Sequence, residues 1–253
     1  MNKTLFSVIT VSFNSEKTIK RTIESLLNQS FQNFEYIIID GKSTDKTLEI
    51  IKSFEKEFKE KEIHFTWISE KDKGIYDAFN KGVIKATGKW VSFLGSDDFY
   101  LANALENYSK EILKLKQDVD LVYSNVEVKD RKVIRDVWSW NTFRKKMEIA
   151  HVGAFHNKEY FKKYGLFNET YKIAGDYELL LRANKNLKTH WFDKLTAVME
   201  DGGISNDNII EVYKETTQVK IDTKSQPKII SKIDFYFWIA KYKIKTIINE
   251  ITR

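Results

Sequence analysis

Trp90-Val91-Ser92-Phe93-Leu94-Gly95-Ser96-Asp97-Asp98 is the stretch on which the fold turns. A run from Trp90 to Leu94, rich in apolar side chains, stops at two adjacent carboxylates. The run reads as a buried strand, because a strand covered on both faces needs no polar alternation. In an open α/β sheet, residues just past a strand's carboxyl end sit where ligands bind. Asp97 and Asp98 there offer hard oxygen ligands that suit Mg²⁺ or Mn²⁺, and phosphate is the usual client of such an ion. The same pair also fits a helix N-cap followed by a first-turn acid.

The strand has companions. Upstream, strands are expected at Phe6 to Phe13, Phe34 to Ile39 and Ile63 to Ser69, before the strand at Lys89 to Leu94. Helices are expected between them at Ser15 to Gln29, Thr44 to Phe58 and Gly74 to Ala86, with Gly88 as the C′ glycine of the last. Leu101 to Leu115 reads as a further helix and Asp120 to Tyr123 as a fifth strand. Repeated strand–helix units predict an α/β fold with a parallel sheet and helices on both faces. The later chain is less regular. Val126 to Trp138 reads as a hairpin turning near Asp130, Asn157 to Tyr164 and Gly175 to Asn186 as helices, and His190 to Met199 as a strand. Three parts are expected: residues 1–125 and 126–223 as halves of one domain, and 224–253 as an appended helix.

Composition narrows the classes. The 253 residues contain no cysteine, which excludes disulfides and thiolate metal sites. Four histidines, at 64, 151, 156 and 190, are too scattered for a multi-His zinc centre. The N-terminus reads as a strand and not as a signal peptide, and the uncharged stretch Leu5 to Ser15 is too short to span a bilayer. A cytoplasmic location is expected. Seven basic and two acidic residues from Lys224 onward give that segment +5 of the net +6. A near-neutral body argues against nucleic acid, and a basic tail points to one localised anionic partner.

The strand ends carry the candidate chemistry. Thr10-Val11-Ser12-Phe13-Asn14, Asp40-Gly41-Lys42-Ser43-Thr44-Asp45, Ser69-Glu70-Lys71-Asp72-Lys73-Gly74 and Gly95-Ser96-Asp97-Asp98 should converge on one sheet edge. Each alone also serves as a cap or turn. No GxGxxG or GxxxxGK[ST] is present, so a glycine-cradled phosphate is unsupported and a carboxylate-held metal is the remaining route to a diphosphate. Asp40 is placed to accept hydrogen bonds from a ribose or base. Asp77, Asn80 and Lys81 fall at i, i+3 and i+4, on a helical face that could meet the donor sugar or diphosphate; the plainer reading is a surface ion pair of Asp77 with Lys81.

Taken together these motifs resemble family 2 glycosyltransferases of the GT-A fold. The resemblance rests on Val8 to Asn14, Ile39 to Thr47, Asp72 to Gly82, Ala86 to Trp90 running into Asp97-Asp98, Ala174 to Leu179, and Gly202-Gly203-Ile204-Ser205. It implies a Rossmann-like, mostly parallel sheet with flanking helices, an irregular acceptor half, and inverting transfer of a sugar from a nucleoside diphosphate, UDP by default. It assigns Thr10, Ser12, Asn14 and Asp40 to base and ribose, with Asp72 nearby. It makes Asp97 and Asp98 a DxD-type metal site for Mg²⁺ or Mn²⁺, although Gly95 replaces the first acid of the fuller pattern. Asp176 resembles the family's general base, and His151 lies in a segment associated with acceptor and metal. Gly202-Gly203 resembles a loop over the diphosphate. Trp138 and Trp140 are candidates for stacking on an acceptor sugar or for core packing.

The tail is amphipathic: Ile230, Ile233, Phe237, Ala240, Ile244, Ile247 and Ile251 share one face, flanked by Tyr236, Trp238 and Tyr242. It suits a helix lying in an anionic membrane interface, or docked on the body or on a second subunit of a homo-oligomer. The expected activity is transfer to a hydroxyl of a glycan or lipid-linked acceptor in surface polysaccharide or lipopolysaccharide synthesis, on the inner face of the cell membrane. The alternatives are a sugar-1-phosphate nucleotidyltransferase, which should show a Gly-rich loop with Arg where Ser12 to Ser15 stand, and a non-catalytic sugar- or membrane-binding module.

Overall fold

The computed structural model describes residues 4–200 and 208–251. Strands β1 (Phe6–Ser12), β2 (Phe34–Asp40), β3 (His64–Ser69) and β4 (Trp90–Phe93) are parallel, in the spatial order β3-β2-β1-β4. Helix α1 (Ile19–Leu27), the pair α2 (Thr47–Ser53) and α3 (Glu55–Glu60), and α4 (Ile75–Lys85) make the crossovers. The single helix expected over Thr44 to Phe58 is therefore broken. It breaks at Phe54, whose N–H turns to the Ile51 carbonyl at 3.3 Å in a tighter three-residue turn.

Alternation along the strands builds two cores. Phe6 and Val8 of β1 and Tyr36 and Ile38 of β2 face one side, with Ile23 and Leu26 of α1 and Phe58 of α3. Ile9, Ile37 and Ile39 face the other, with Phe79 and Val83 of α4. A fully buried side chain of this kind contributes about 1.5–3 kcal/mol relative to exposure.

Gly88 does not act as a left-handed C′ residue, since the described glycines with positive φ are Gly74 and Gly165. It is needed for close approach instead: a Cβ there would lie 2.6 Å from Ser7 Oγ and 2.7 Å from the Phe6 carbonyl carbon. Buried Glu35 ties this turn, accepting from Ser7 Oγ at 2.6 Å and from the N–H of Gly88 at 3.1 Å. The Ala86-Thr87-Gly88 motif thus sits at the edge opposite the strand ends and serves the fold.

The second half comprises β5 (Phe99–Tyr100), α5 (Ala104–Leu113), β6 (Leu121–Val128), β7 (Lys132–Ile134), α6 (Trp140–Phe143), β8 (Ala154–Asn157), α7 (Lys158–Tyr164), α8 (Gly175–Leu181), β9 (Thr189–Met199), α9 (Ile209–Asp222) and α10 (Lys228–Ile251). The expected hairpin forms between β6 and β7, with Asp130 at φ 56° in its turn. The expected fifth strand forms within β6 and runs in the same direction as β4, but it is not β4's neighbour. Strand β8 lies between β4 and β6, antiparallel to both, and four residues are too few to show a period in the sequence. Both halves consequently share one nine-stranded sheet.

Helices α9 and α10 form a hairpin. Tyr213 stacks on Trp238 with ring centroids 6.2 Å apart, and Gln226 Nε2 donates to Asp234 at 2.7 Å. Ile230, Ile233, Phe237 and Ile244 of the expected stripe are exposed. Among the described residues, no helix is long and apolar enough to cross a membrane.

Candidate active site

The parallel register sets Ser12, Asp40 and Ser69 side by side at the carboxyl edge. Asp40 is fully buried and its carboxylate is committed. It accepts from Ser12 Oγ at 3.1 Å, Ser69 Oγ at 2.7 Å, Ser43 Oγ at 2.5 Å and the Ser43 N–H at 2.9 Å. Those bonds match the lone-pair capacity of a carboxylate. Asp40 therefore pins three strand ends and is not presented to a ribose. Thr10 is likewise buried, taking the Tyr36 hydroxyl at 3.1 Å. Side chains alternate along a strand, so Thr10 and Ser12 share the inward face of Phe6 and Val8. Asn14, at φ 49°, closes the loop by accepting the Thr44 N–H at 2.9 Å.

Phe13, 64% exposed, lies beside Gly41 and Asp72: a Cβ on Gly41 would meet Asp72 Oδ2 at 2.8 Å and Phe13 Cδ2 at 3.4 Å. An exposed ring, a side-chain-free floor and a carboxylate form a niche suited to a planar base. Phe13 shares the parity of buried Ile9, so it is exposed because it lies past the end of β1 and not because of its face.

Asp72 belongs to a charged group around Lys81, whose Nζ lies 2.9 Å from Asp72, 3.0 Å from Glu70 and 3.1 Å from Asp77. Burial opposes the Lys81 charge, yet these acids hold the ammonium above its usual range. Burial also pushes the Asp72 carboxyl up, against the pull of Lys81. The face expected to unite Asp77, Asn80 and Lys81 is divided. Asn80 is buried and pairs with the backbone of Phe167, donating at 3.0 Å and accepting at 2.9 Å, so it holds a loop and is not offered to a donor.

Asp97 and Asp98 converge over Gly95. A Cβ on Gly95 would lie 2.7 Å from Asp98 Oδ2 and 2.8 Å from Asp97 Oδ1. Gly95 is more than a missing acid, because any side chain there would fill the cradle between the two carboxylates. Burial, then the Asp97 charge, push the Asp98 carboxyl up to about 7. Crowded, desolvated carboxylate oxygens are what a divalent cation relieves, so this donor set fits Mg²⁺ or Mn²⁺. Arg21 of α1 fixes the loop, donating to the Asp97 carbonyl at 2.6 Å and to Glu200 at 2.5 Å. A cavity of about 390 Å³ lined by Lys17, Thr18, Arg21, Asp97 and Glu200 opens beside it.

His151 does not join this pair: among the described residues, no His, Asp or Glu group of three is placed to hold a metal. Its ring stacks on Phe93 at 4.9 Å, and its Nε2 is buried without a partner. Burial depresses its pKa, while the nearby Asp176 charge works the other way. Asp176, half-buried at the start of α8, lies close enough to His151 for their charges to interact, and His151 stacks on Phe93 at the end of β4. Trp138 and Trp140 are half-buried against the core beneath. Gly202-Gly203 and Ser205 lie outside the described residues.

A mostly parallel sheet with a two-carboxylate cradle after β4, and no glycine-rich phosphate loop, is the pattern of a GT-A glycosyltransferase. The chain belongs to glycosyl transferase family 2, whose sequence profile matches residues 7–178. It is 30% identical over 207 residues to a PGL/p-HBAD biosynthesis glycosyltransferase of Mycobacterium bovis, covering 80% of this chain and 79% of that one. The fold is similar to S. aureus TarS 1-349 in complex with UDP, with TM-score 0.66, 20% identity, and coverage of 90% of this chain and 68% of that one. It is also similar to the mannosyltransferase PcManGT from Pyrobaculum calidifontis in complex with GDP-Man and Mn²⁺, with TM-score 0.69, 16% identity, and coverage of 91% and 69%.

Proposed function

We propose that this glycosyltransferase moves a sugar, with inversion, from a nucleoside-diphosphate sugar to a hydroxyl of a glycan or lipid-linked acceptor in cell-surface glycan synthesis. The observation that carries the reading is the pair of carboxylates converging over Gly95. The base and ribose lie in the niche of Phe13, Gly41 and Asp72, with Asp40, Ser12 and Asn14 shaping its floor from behind. UDP is the default nucleotide. Asp97 and Asp98 hold a divalent cation, Mg²⁺ or Mn²⁺, which when bound supplies positive charge against the departing diphosphate. Mn²⁺ with GDP-Man in the similar mannosyltransferase supports a metal-assisted donor site.

Asp176 accepts the acceptor's hydroxyl proton as that oxygen attacks the anomeric carbon. The bond from that carbon to the diphosphate oxygen breaks, and the nucleoside diphosphate leaves with the bonding electrons. Residues 1–125 supply the donor side and 126–223 the acceptor side. His151, stacked on Phe93, adds an apolar wall near Asp176.

The exposed stripe on α10 and the +5 charge from Lys224 onward support docking on an anionic membrane, where a lipid-linked acceptor would be met. The protein then works as a peripheral enzyme on the inner membrane face.

A panel of UDP-, GDP- and dTDP-sugars with Mn²⁺ and lipid-linked acceptors tests the reading. Nucleoside diphosphate released in step with a glycosylated product is expected. No turnover and no metal-dependent nucleotide binding with any donor would overturn it.

A further inference from the structure

The strap that carries Asp176 has almost no regular structure of its own between Phe167 and Gly175. Its backbone donors must still be met, and side chains from two other elements meet them. From α4, the Tyr76 hydroxyl donates to the Ile173 carbonyl at 2.7 Å and accepts the Gly175 N–H at 2.7 Å and the Asp176 N–H at 3.4 Å. From α9, Glu215 accepts the N–H of Lys172 at 2.9 Å on Oε1, and those of Ile173 at 2.8 Å and Ala174 at 2.9 Å on Oε2. Every backbone N–H from Lys172 to Asp176 is thus bonded to Tyr76 or Glu215. Tyr171 adds a bond of 2.6 Å to Asp222 at the end of the same helix.

We propose that Glu215 is a positioning residue for the transfer: the three amides converging on its carboxylate fix the strap, and through it the place of Asp176. The proposal rests on Asp176 being the base. Without Glu215 the amides of Lys172, Ile173 and Ala174 lose their acceptor and only the Tyr171–Asp222 bond still ties the strap to α9, and a carboxylate receiving several N–H groups forms stronger bonds than a neutral acceptor. A displacement of about 1 Å in a reacting group costs on the order of a hundredfold in rate. The hairpin of α9 and α10 is then part of the active site as well as a membrane-facing appendage, because the helix that packs against α10 also holds the base.

The test uses the full chain with Glu215→Ala, Glu215→Gln and Asp176→Asn. The readouts are kcat, donor KM, and amide hydrogen exchange over 172–176. Glu215→Ala should lower kcat at least about tenfold with donor KM within about twofold, and should speed exchange locally. Glu215→Gln, which keeps one carbonyl acceptor, should fall between. If the Ala variant does not fold, the Gln variant is judged by the same split. Unchanged kcat with faster exchange, or a kcat loss matched by a donor KM rise, would overturn the proposal. An inactive Asp176→Asn beside a fully active Glu215→Ala would sink only the positioning role. An active Asp176→Asn would sink the base assignment and this proposal with it.

Discussion

Asp98 Oδ1 accepts the backbone N–H of Glu200 at 3.0 Å, joining the loop after β4 to the end of β9. Arg21 completes a ring by bonding both Glu200 and the Asp97 carbonyl. The cradle is therefore held by backbone and by a cation that does not itself approach the carboxylates of Asp97 and Asp98. Arg21→Ala should weaken metal-dependent nucleotide binding by at least about tenfold, the low end of the worth of one hydrogen bond to a charged group. Isothermal titration with UDP and Mn²⁺ reads this, and unchanged affinity would count against the ring.

Gly95→Ala should be more damaging than its size suggests. The added methyl would lie within 2.8 Å of both carboxylates. One of them must swing away, so Mn²⁺-dependent nucleotide affinity should fall at least about tenfold, while the melting temperature changes little because the site lies at the sheet edge and not in a core. Retained affinity would mean the two acids do not act together.

Asp176→Asn should lower kcat for transfer by about 10²–10⁴-fold, the usual worth of a general base, with nucleotide affinity within about twofold. Loss of nucleotide binding would move Asp176 to the donor side.

The strand ends were legible in the sequence because Asp, Asn and Ser punctuate them, and the four parallel strands follow from their apolar runs. What each polar residue does was not legible. Asp40 and Asn80 look like ligand contacts until distant partners, Ser69 and the Phe167 backbone, are seen to occupy them. Alternation could not separate Thr10 and Ser12 from ligand contacts, because both faces of β1 are covered. Glu215 could not have been found: an acid in mid-helix carries no mark of the amides it meets on another element. The insertion of β8 was hidden by its brevity.

Acid should destabilise the protein through His156. It is fully buried in β8, and both ring nitrogens lack a partner. Burial, then His151, hold its pKa well below the ordinary 6.5. The unfolded chain therefore binds a proton that the folded chain refuses, and stability present above about pH 6.5 is lost as pH falls, by up to roughly 1.4 kcal/mol per unit until the folded pKa is reached. Urea midpoints at pH 7.5 and 5.5 should diverge in the wild type and draw together in His156→Phe. Equal divergence in both would place the acid sensitivity elsewhere.

The central claim is that Asp97 and Asp98 hold a divalent ion against a nucleoside diphosphate. Titrating UDP and GDP into the wild type and Asp98→Asn, each with Mn²⁺ and with chelator, tests it most directly. The account predicts binding of at least one nucleotide that requires Mn²⁺ in the wild type and is lost in Asp98→Asn. Binding that is equally tight with chelator, or undiminished in Asp98→Asn, would contradict it.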